Sequence, residues 1–488
     1  MSTMNSKTRD LDLTRRRFVG ACCASVGTTG LVSTLGQLRL MGAAASPDSS
    51  STPPRAGAPN PDFKALVCLF FAGGNDANNL VVPADAAGYS AYATARGALA
   101  LPQTSLLPIA TPGGDGRAWA LHPAMTDLKS LYDRGKLAVL ANVGTLVQPL
   151  TRDTYNARPE LRPRQLFSHN DQQVEWQTSV ADKPFSEVAT GWGGRVADLT
   201  NALNSNNRIS MMMTLDGQNT FQIGKVVQQY AVGTGGTISL TGSGTGTTAN
   251  GLRTTALNDT LAQQSPSLLE AAFGGLTSRA LGTSSLLSSI ITGTSPFAAI
   301  FNGITNTRLA QQLHMVARLI NAQAQLGLTR QIFFVRIGGF DLHDNQVTLG
   351  NTTSGAHSAL IGDISRSLGA FYRALSQINA ENQVTTFTGS DFGRTYNTNG
   401  DGSDHGWGSH HLVLGGAVRG GAMYGQMPEL RLGGPNDSGT RGTWIPTTSV
   451  DEYAATLARW FGVSATNIPV ILPNIGRFPK SDLGFMSA

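Results

Sequence analysis

Residues 65–76 read ALVCLFFAGGND, an apolar run that ends at two glycines, an asparagine and an aspartate. A short run of apolar, β-branched and aromatic residues that is closed by glycine predicts a strand buried on both faces. Further runs of the same kind occur at residues 137–143, 332–337, 384–389 and 411–414. The sequence therefore predicts a sheet of buried strands at the centre of the protein.

Amphipathic helices are predicted between these strands. Apolar residues recur at three- and four-residue spacing from Leu309 to Ile320 and from Ile361 to Leu375, which is the spacing of one buried helix face. Helices that alternate with buried strands favour parallel pairing through crossover connections. The expected fold is therefore α/β, with a doubly wound, mostly parallel sheet. Residues 230–260, which are rich in Gly, Thr and Ser, and parts of 282–296 are expected to be long loops.

The N-terminal segment has the features of a twin-arginine export signal. Residues 14–19 read TRRRFV, a modestly apolar stretch follows, and residues 43–45 are all alanine, which is the order of features in such a leader. We expect a signal peptide at residues 1–45, a linker at 46–61 and one domain at 62–488. The expected partner during export is the twin-arginine translocase, and the expected location is periplasmic or secreted.

The charge of the chain limits its other partners. Residues 1–45 contain six basic and two acidic side chains, so their removal lowers the net charge from +5 to +1. A nearly neutral domain offers no electrostatic reason to expect nucleic acid as a partner. Gly, Ser and Thr interrupt residues 20–42 too often for a good membrane-spanning helix, and we expect no stable membrane span in the mature chain.

Acidic residues follow three of the predicted strands directly. In an open parallel sheet, ligands bind at the carboxyl ends of the strands. Carboxylates gathered at one edge repel each other unless a cation neutralises them, and Asp with His is a ligand set for zinc and manganese. Each aspartate alone could instead cap a helix or form a turn. The side chains that could meet at this edge are Asp76, Asp341, His343 and Asp391, together with a histidine of the cluster at residues 405–411.

Five blocks of the sequence carry a family resemblance. They are FFAGGND at residues 70–76, GGFDLH at 338–343, SDFGRT at 390–395, DHG at 404–406 and WIPTT at 444–448. These blocks resemble the bacterial exported family called domain of unknown function 1501, and the resemblance covers nearly the whole mature chain. It implies a place in the alkaline phosphatase and sulfatase superfamily, with an alkaline phosphatase-like fold and a site for two divalent metal ions. Zinc, manganese and calcium are the candidate ions.

The resemblance also implies roles for the candidate ligands. Asp76 matches the early aspartate of the superfamily, and Asp391 matches the later one. Asp341 with His343 matches an aspartate with a nearby histidine, and His405 is the choice for the final histidine. Phe392 stands where a ligand histidine would follow the later aspartate, and the histidines that could replace that ligand are His169, His410 and His411.

The catalytic hydroxyl is expected between the first two motifs, at the start of a helix. Free amide groups and the helix dipole stabilise an anion there. Ser168, within LFSHND at residues 166–171, fits this position, although it could equally be a plain N-cap. Thr145 is the second choice. Arg394 is expected to hold the substrate anion, or else to form an ion pair with Asp391.

The function expected from these features is an exported metal-dependent hydrolase of phosphate or sulfate esters. Its substrate would be an anionic ester, attacked by a hydroxyl group that a metal centre activates. Serine chemistry of the α/β-hydrolase kind is disfavoured because the chain has no Gly-x-Ser-x-Gly motif. The alternative is a non-catalytic exported protein that retains the fold and binds a surface polymer or an assembly partner.

Overall fold

The computed structural model describes residues 60–112, 116–204, 209–236, 241–263 and 265–487. The predicted signal peptide, and the predicted linker up to residue 59, lie outside the described residues. The chain divides into two compact units. The smaller unit includes residues 239–283, and the larger unit contains residues 46–238 and 284–488.

Among the described residues, the larger unit contains a nine-stranded, mostly parallel sheet. In spatial order its strands are β11 (Ala422–Tyr424), β5 (Leu137–Gly144), β10 (Ser409–Leu414), β9 (Val384–Ser390), β1 (Lys64–Phe71), β8 (Arg330–Ile337), β6 (Met212–Thr214) and β7 (Tyr230–Ala231), and β12 (Thr448–Ser449) also pairs with β5. β10 is antiparallel to both of its neighbours, and the other pairings are parallel. The expected α/β class with a mostly parallel sheet is confirmed, and each predicted strand is present.

A smaller antiparallel sheet lies after β1 in the chain. Its strands, in spatial order, are β2 (Val81–Pro83), β4 (Trp119–Leu121) and β3 (Leu107–Ile109). The helices of the described chain are α1 (Ala86–Arg96), α2 (Thr126–Asp133), α3 (Arg152–Ala157), α4 (His169–Thr178), α5 (Phe185–Val188), α6 (Trp192–Thr200), α7 (Ala249–Ala262), α8 (Leu268–Ile291), α9 (Ala298–Phe301), α10 (Arg308–Asn321), α11 (Gln323–Leu326), α12 (Ala356–Gln377), α13 (Val450–Phe461) and α14 (Ile468–Ile471). In these ranges no helix combines the length and the apolar character needed to cross a membrane.

Both faces of the central sheet are covered. Every residue of β1 from Ala65 to Phe71 is buried, as expected for a parallel strand between two layers of helices. Trp176 of α4 packs on Phe70 and Phe387, and Tyr453 of α13 also packs on Phe387. Helices α2 and α10 both contact α12. The predicted amphipathic helices are α10 and α12, and their predicted apolar faces are buried.

The Ser-, Thr- and Gly-rich stretches require a correction, because the structure has helices where loops are expected. Helix α7 occupies 249–260 of the first stretch, and α8 extends to Ile291 in the second, whereas the described residues 232–236 and 241–248 are outside helices, as expected. The side chain of Thr248 caps α7 by accepting a hydrogen bond of 3.1 Å from the amide of Gly251. Within α7, hydroxyls of threonines such as Thr254 and Thr255 donate to carbonyls four residues earlier. These bonds satisfy the hydroxyl groups but do not strengthen a helix, so α7 forms despite an unfavourable local composition.

The three strands that precede the candidate ligands end level with one another. Phe71, the last residue of β1, lies opposite Ile337 at the end of β8 and opposite Ser390 at the end of β9. Parallel pairing therefore delivers the residues that follow β1, β8 and β9 to the same edge of the sheet.

Helix α4, which begins at this edge, carries a buried acid. Glu175 is 5% exposed and accepts a hydrogen bond of 2.8 Å from Gln172 Nε2. Burial raises the pKa of Glu175 from 4.5 to about 9. The folded carboxyl therefore stays protonated at a pH where the unfolded one ionises. Its contribution to stability is complete below about pH 4.5 and declines as the pH rises toward 9.

Replacing this acid with its neutral isostere should stabilise the protein in alkaline solution. We expect Glu175→Gln to raise the free energy of unfolding at pH 8 by on the order of 3 kcal/mol, and to change it little near pH 4.5. Urea unfolding at both pH values measures the difference. Glu187→Gln removes the same charge from an exposed position on α5 and is the matched control. A Glu175→Gln protein less stable than the wild type at pH 8 would contradict the assignment of a neutral carboxyl.

Candidate metal centre

Three imidazole nitrogens converge on one carboxylate oxygen at the carboxyl edge of the sheet. Asp341 Oδ1 lies 3.0 Å from Nε2 of His343, 3.3 Å from Nε2 of His405 and 3.4 Å from Nε2 of His169. The Nε2 atoms of His343 and His405 are 3.1 Å apart. Asp341 and His343 follow β8, His405 precedes β10, and His169 begins α4. We call these four residues the His–Asp cluster.

The second ring nitrogen of each histidine is held by an oxygen atom. The Nδ1 contacts are His169 to Asp391 Oδ2 at 2.7 Å, His343 to Asp404 Oδ1 at 3.1 Å, and His405 to the carbonyl oxygen of Phe167 at 2.8 Å. A carbonyl or an ionised carboxylate can only accept, so each Nδ1 donates its hydrogen. In the neutral ring this leaves the lone pair on Nε2. Histidines that bind metals are oriented by partners of this kind.

The geometry of the His–Asp cluster fits a metal ion. His169, Asp341 and His405 offer ligand atoms that all lie within 4.8 Å of one another. Three nitrogens and one carboxylate oxygen form a ligand set suited to zinc, with bonds of about 2.1 Å and a tetrahedral edge of roughly 3.4 Å. The distances of the three Nε2 atoms from Asp341 Oδ1, 3.0 to 3.4 Å, are close to that edge. His169, Asp341 and His405 could therefore hold one divalent ion, and His343 Nε2, 3.0 Å from Asp341 Oδ1 and 3.1 Å from His405 Nε2, is placed beside them as a fourth donor.

Asp391 contacts the His–Asp cluster through His169, at the ring nitrogen that does not face Asp341. Its Oδ2 atom accepts hydrogen bonds from the amide of Gly73 at 3.1 Å, from Gln173 Nε2 at 3.0 Å and from His169 Nδ1. The sequence predicts Asp391 as a direct ligand, and the structure places this oxygen on the far side of the His169 ring. The buried Oδ1 atom has no hydrogen-bond partner in the described part of the chain, so it is the oxygen through which Asp391 could also bind a metal.

Arg394 fixes the central carboxylate. Its Nη1 atom donates to Asp341 Oδ1 at 2.7 Å and to the carbonyl of Gly73 at 3.2 Å, and Nη2 donates to the carbonyl of Ser403. The side chain of Arg394 is 1% exposed. The ion pair of Arg394 is with Asp341 and not, as the sequence predicts, with Asp391. Its Nε–H group has no hydrogen-bond partner in the described residues, and the predicted role in holding an anion stays a prediction.

The pKa shifts agree with this arrangement. Burial pushes the pKa of Asp341 upward, but the hydrogen bond and charge of Arg394 outweigh it, so the pKa lies below its ordinary value. The hydrogen bond that His169 donates to Asp391 is the largest cause that raises the pKa of His169, so an ion that binds would more often have to displace a proton from this ring than from His405. Burial is the largest cause that lowers the pKa of His405, which favours the neutral ring that a metal requires.

Asp76 lies in a different set of contacts. It is buried, forms an ion pair with Arg96 of α1, accepts a hydrogen bond from Gln346 Nε2, and accepts another from Asn78 Nδ2 at 3.2 Å. Burial raises the pKa of Asp76, but the charge of Arg96 and the hydrogen bonds bring it below the ordinary value. The structure therefore places this predicted ligand in a buried ion pair.

Ser168 is the N-cap residue of α4, but its hydroxyl does not cap the helix. Instead, Ser168 Oγ donates to Asp171 Oδ2 at 2.5 Å. Its two neighbours in the chain both touch the His–Asp cluster, because Phe167 accepts from His405 and His169 is a member. Ser168 therefore lies in the chain between a residue that contacts the cluster, Phe167, and a member of the cluster, His169.

The remaining alternatives are distributed through the fold. Thr145 is buried, and its hydroxyl donates to Gln172 Oε1 at 2.5 Å. His410 and His411 are buried in β10, where the first accepts from the amide of Asn142 and the second contacts the hydroxyl of Thr388. Of the three histidines considered as a replacement ligand, His169 is the one that the structure brings to the His–Asp cluster.

Three supporting groups were not predicted from the sequence. They are the carboxylate of Asp404, the side chain of Gln173 and the carbonyl of Phe167. Asp404 adjoins His405 in one of the motif blocks, so a search for second carboxylates beside candidate histidines could have found it. No side-chain pattern marks a backbone carbonyl.

The fold and the His–Asp cluster define a mixed α/β protein with a candidate metal centre at the carboxyl edge of a mostly parallel sheet. The chain belongs to the family described as "Protein of unknown function (DUF1501)", whose model matches residues 63–435. No curated protein matches the chain. One similar solved structure, titled "Crystal structure of Ps i-CgsB in complex with k-i-k-neocarrahexaose", is 10% identical and covers 84% of this chain and 77% of that chain. Its TM-score of 0.33 does not show a shared fold.

The contacts of Asp76 and Asp341 lead to opposite expectations for their amide variants. Asp76→Asn should destabilise the protein by about 3 kcal/mol, because it leaves Arg96 buried without a counterion, and should not change zinc affinity. Asp341→Asn should weaken zinc binding at least about tenfold. It should destabilise the protein less, because the Asp341 side chain is 47% exposed and that of Asp76 only 2%, so solvent already screens the ion pair of Asp341.

Urea unfolding and zinc titration calorimetry on the same two variants separate these effects. Each variant is the control for the other. If Asp76→Asn weakens zinc binding as much as Asp341→Asn does, Asp76 is a ligand and the division between the two aspartates is wrong.

Proposed function

We propose that the protein is an exported metal-dependent hydrolase of phosphate or sulfate esters with an alkaline phosphatase-like fold. The observation that carries this proposal is the convergence of three histidine Nε2 atoms on Asp341 Oδ1, with each Nδ1 already bound to an oxygen. The leader sequence supports a periplasmic or secreted location, reached through the twin-arginine translocase.

The donor set favours particular ions. Calcium binds oxygen ligands almost exclusively, whereas imidazole suits zinc and other transition metals. With three nitrogens and one oxygen, the His–Asp cluster is therefore better suited to zinc than to calcium or manganese, which prefer oxygen ligands. When bound, such an ion would polarise the ester and stabilise the charge that develops on the leaving oxygen. His169, His343, His405 and Asp341 would hold it.

Ser168 is the proposed nucleophile. The carboxylate of Asp171 accepts a hydrogen bond from the Ser168 hydroxyl, with 2.5 Å between the two oxygen atoms, so a proton acceptor is already in place. The Oγ atom does not cap α4, so the first amide groups of the helix remain available to an anion next to it. An anionic ester placed between Ser168 and the His–Asp cluster would meet both.

In this proposal Arg394 acts through Asp341. Its terminal nitrogens bind Asp341 and two backbone carbonyls, and the direct hold on the substrate anion that the sequence predicts stays a prediction. A buried guanidinium on Asp341 keeps that carboxylate ionised and oriented toward the three imidazoles.

The test is hydrolysis of an aryl phosphate and an aryl sulfate by the purified mature protein loaded with zinc or manganese. We expect one of the two esters to be hydrolysed. Ser168→Ala should lower kcat by on the order of a thousandfold while zinc affinity stays unchanged. Asp341→Ala should abolish metal binding and hydrolysis together. Ser464→Ala removes an exposed hydroxyl elsewhere and is the matched control.

Three results would count against parts of this proposal. A protein that binds metal and hydrolyses neither ester would be a non-catalytic metal-binding member of the fold. A protein without metal or activity would favour the exported binding or assembly protein. Hydrolysis that survives Ser168→Ala and is lost in Asp341→Ala would assign the attack to a water molecule.

A further inference from the structure

The segment that leads into α4 has an unusual backbone conformation. Phe167 has a φ of +79° and Gln165 a φ of +44°, both in the left-handed region that favours glycine. A bulky aromatic residue rarely adopts this conformation, which costs roughly 1 to 2 kcal/mol. The Phe167 side chain is 36% exposed, so side-chain packing in the core does not account for the strain.

Hydrogen bonds hold this segment at several points. The Arg164 amide donates to the carbonyl of Ala181 at 3.3 Å, and the Arg164 carbonyl accepts from Gln172 Nε2 at 3.0 Å. The Ser168 amide donates to the carbonyl of Gln165 at 2.9 Å. The remaining contact is the one from His405 Nδ1 to the carbonyl of Phe167 at 2.8 Å. The surrounding structure thus fixes the strained backbone.

This last contact is different from those of the other two imidazoles. His169 and His343 are oriented by carboxylates, whereas His405 is oriented by a backbone carbonyl. The direction of a carbonyl depends on the backbone conformation around it, not on a side-chain rotamer. The rings of Phe392 and His169 lie 4.8 and 4.4 Å from the His405 ring, and these contacts do not determine which ring nitrogen carries the hydrogen. The competing acceptor is Asp341 Oδ1, which is 3.3 Å from Nε2, whereas the Phe167 carbonyl is 2.8 Å from Nδ1 and is therefore the closer partner.

We propose that Phe167 is a positioning residue whose left-handed backbone directs its carbonyl at His405 Nδ1, and so fixes the tautomer of His405 and the direction of its Nε2 atom. This inference rests on the proposed metal centre. It assigns a function to the strain, because the strained backbone conformation of Phe167 orients one ligand of the His–Asp cluster before an ion binds.

Two substitutions of similar size separate the backbone from the ring. Asparagine tolerates the left-handed conformation, and β-branched valine does not. We expect Phe167→Val to weaken zinc affinity about 10- to 100-fold, the usual effect of losing a partner that orients a ligand, and Phe167→Asn to stay within about twofold of the wild type. Competition with a chromogenic chelator measures zinc affinity in the mature protein.

The second measurement is made without metal. In protein labelled with ¹⁵N at histidine, long-range proton–nitrogen spectra report which ring nitrogen is protonated, and His405→Gln identifies the signal. The wild type and Phe167→Asn should show His405 protonated at Nδ1, and Phe167→Val should show a mixture of tautomers. If Phe167→Val unfolds, Phe167→Ala replaces it. Its zinc affinity should be weaker than that of Phe167→Asn, by up to about tenfold relative to the wild type.

The inference is overturned if Phe167→Val, folded by its unfolding midpoint, keeps the Nδ1 tautomer and binds zinc as tightly as Phe167→Asn. It is also overturned if both variants lose affinity equally, because the ring would then be responsible. These results differ from a failure of the proposed function. A wild type that binds zinc without hydrolysing esters leaves the inference intact, and the tautomer of the metal-free protein tests it even if no zinc binds.

Discussion

The parallel pairing of β1 with β8 and β9 is the constraint on which the rest of the site depends. Because Phe71 is level with both Ile337 and Ser390, the residues after these strands share one edge. Gly73 makes the approach possible. A Cβ atom there would lie 2.5 Å from the backbone nitrogen of Asp341, and its φ of +113° lies where side chains are rarely accommodated. The turn after β1 can therefore touch both neighbouring strand ends.

Electrostatics then decides which acidic residues can meet the histidines. Each buried carboxylate near this edge needs positive charge or hydrogen-bond donors. Arg96 and Gln346 satisfy Asp76, and an amide, a glutamine and an imidazole satisfy one oxygen of Asp391. Asp341 is half exposed and faces three imidazoles as well as Arg394. It is the carboxylate best placed to gain a cation.

The sequence was sufficient for the parts of the structure that periodicity determines. The buried strands and the apolar faces of α10 and α12 follow from local patterns that extend over whole elements. Helix α7 does not, because its sequence contains Gly, Asn, Asp and several Thr residues, whose helix propensity is low. In the site, strand ends predict the neighbourhood of Asp341 and His343. The partner of Asp76 could not be predicted, since Arg96 lies on a separate helix and no local spacing relates the two.

Helix α4 joins the core to the candidate metal centre. Its first residue is His169, and its eighth, Trp176, packs against β9. A Cβ atom on Gly389 would lie 2.5 Å from the indole ring of Trp176, so the absence of a side chain there sets how closely the helix approaches the strand. Close-packed interiors transmit such displacements. A larger residue at 389 would therefore move α4 outward, and with it His169 and the Gln173 contact to Asp391. The position of His169 relative to Asp341 therefore depends on core packing as well as on the residues of the cluster.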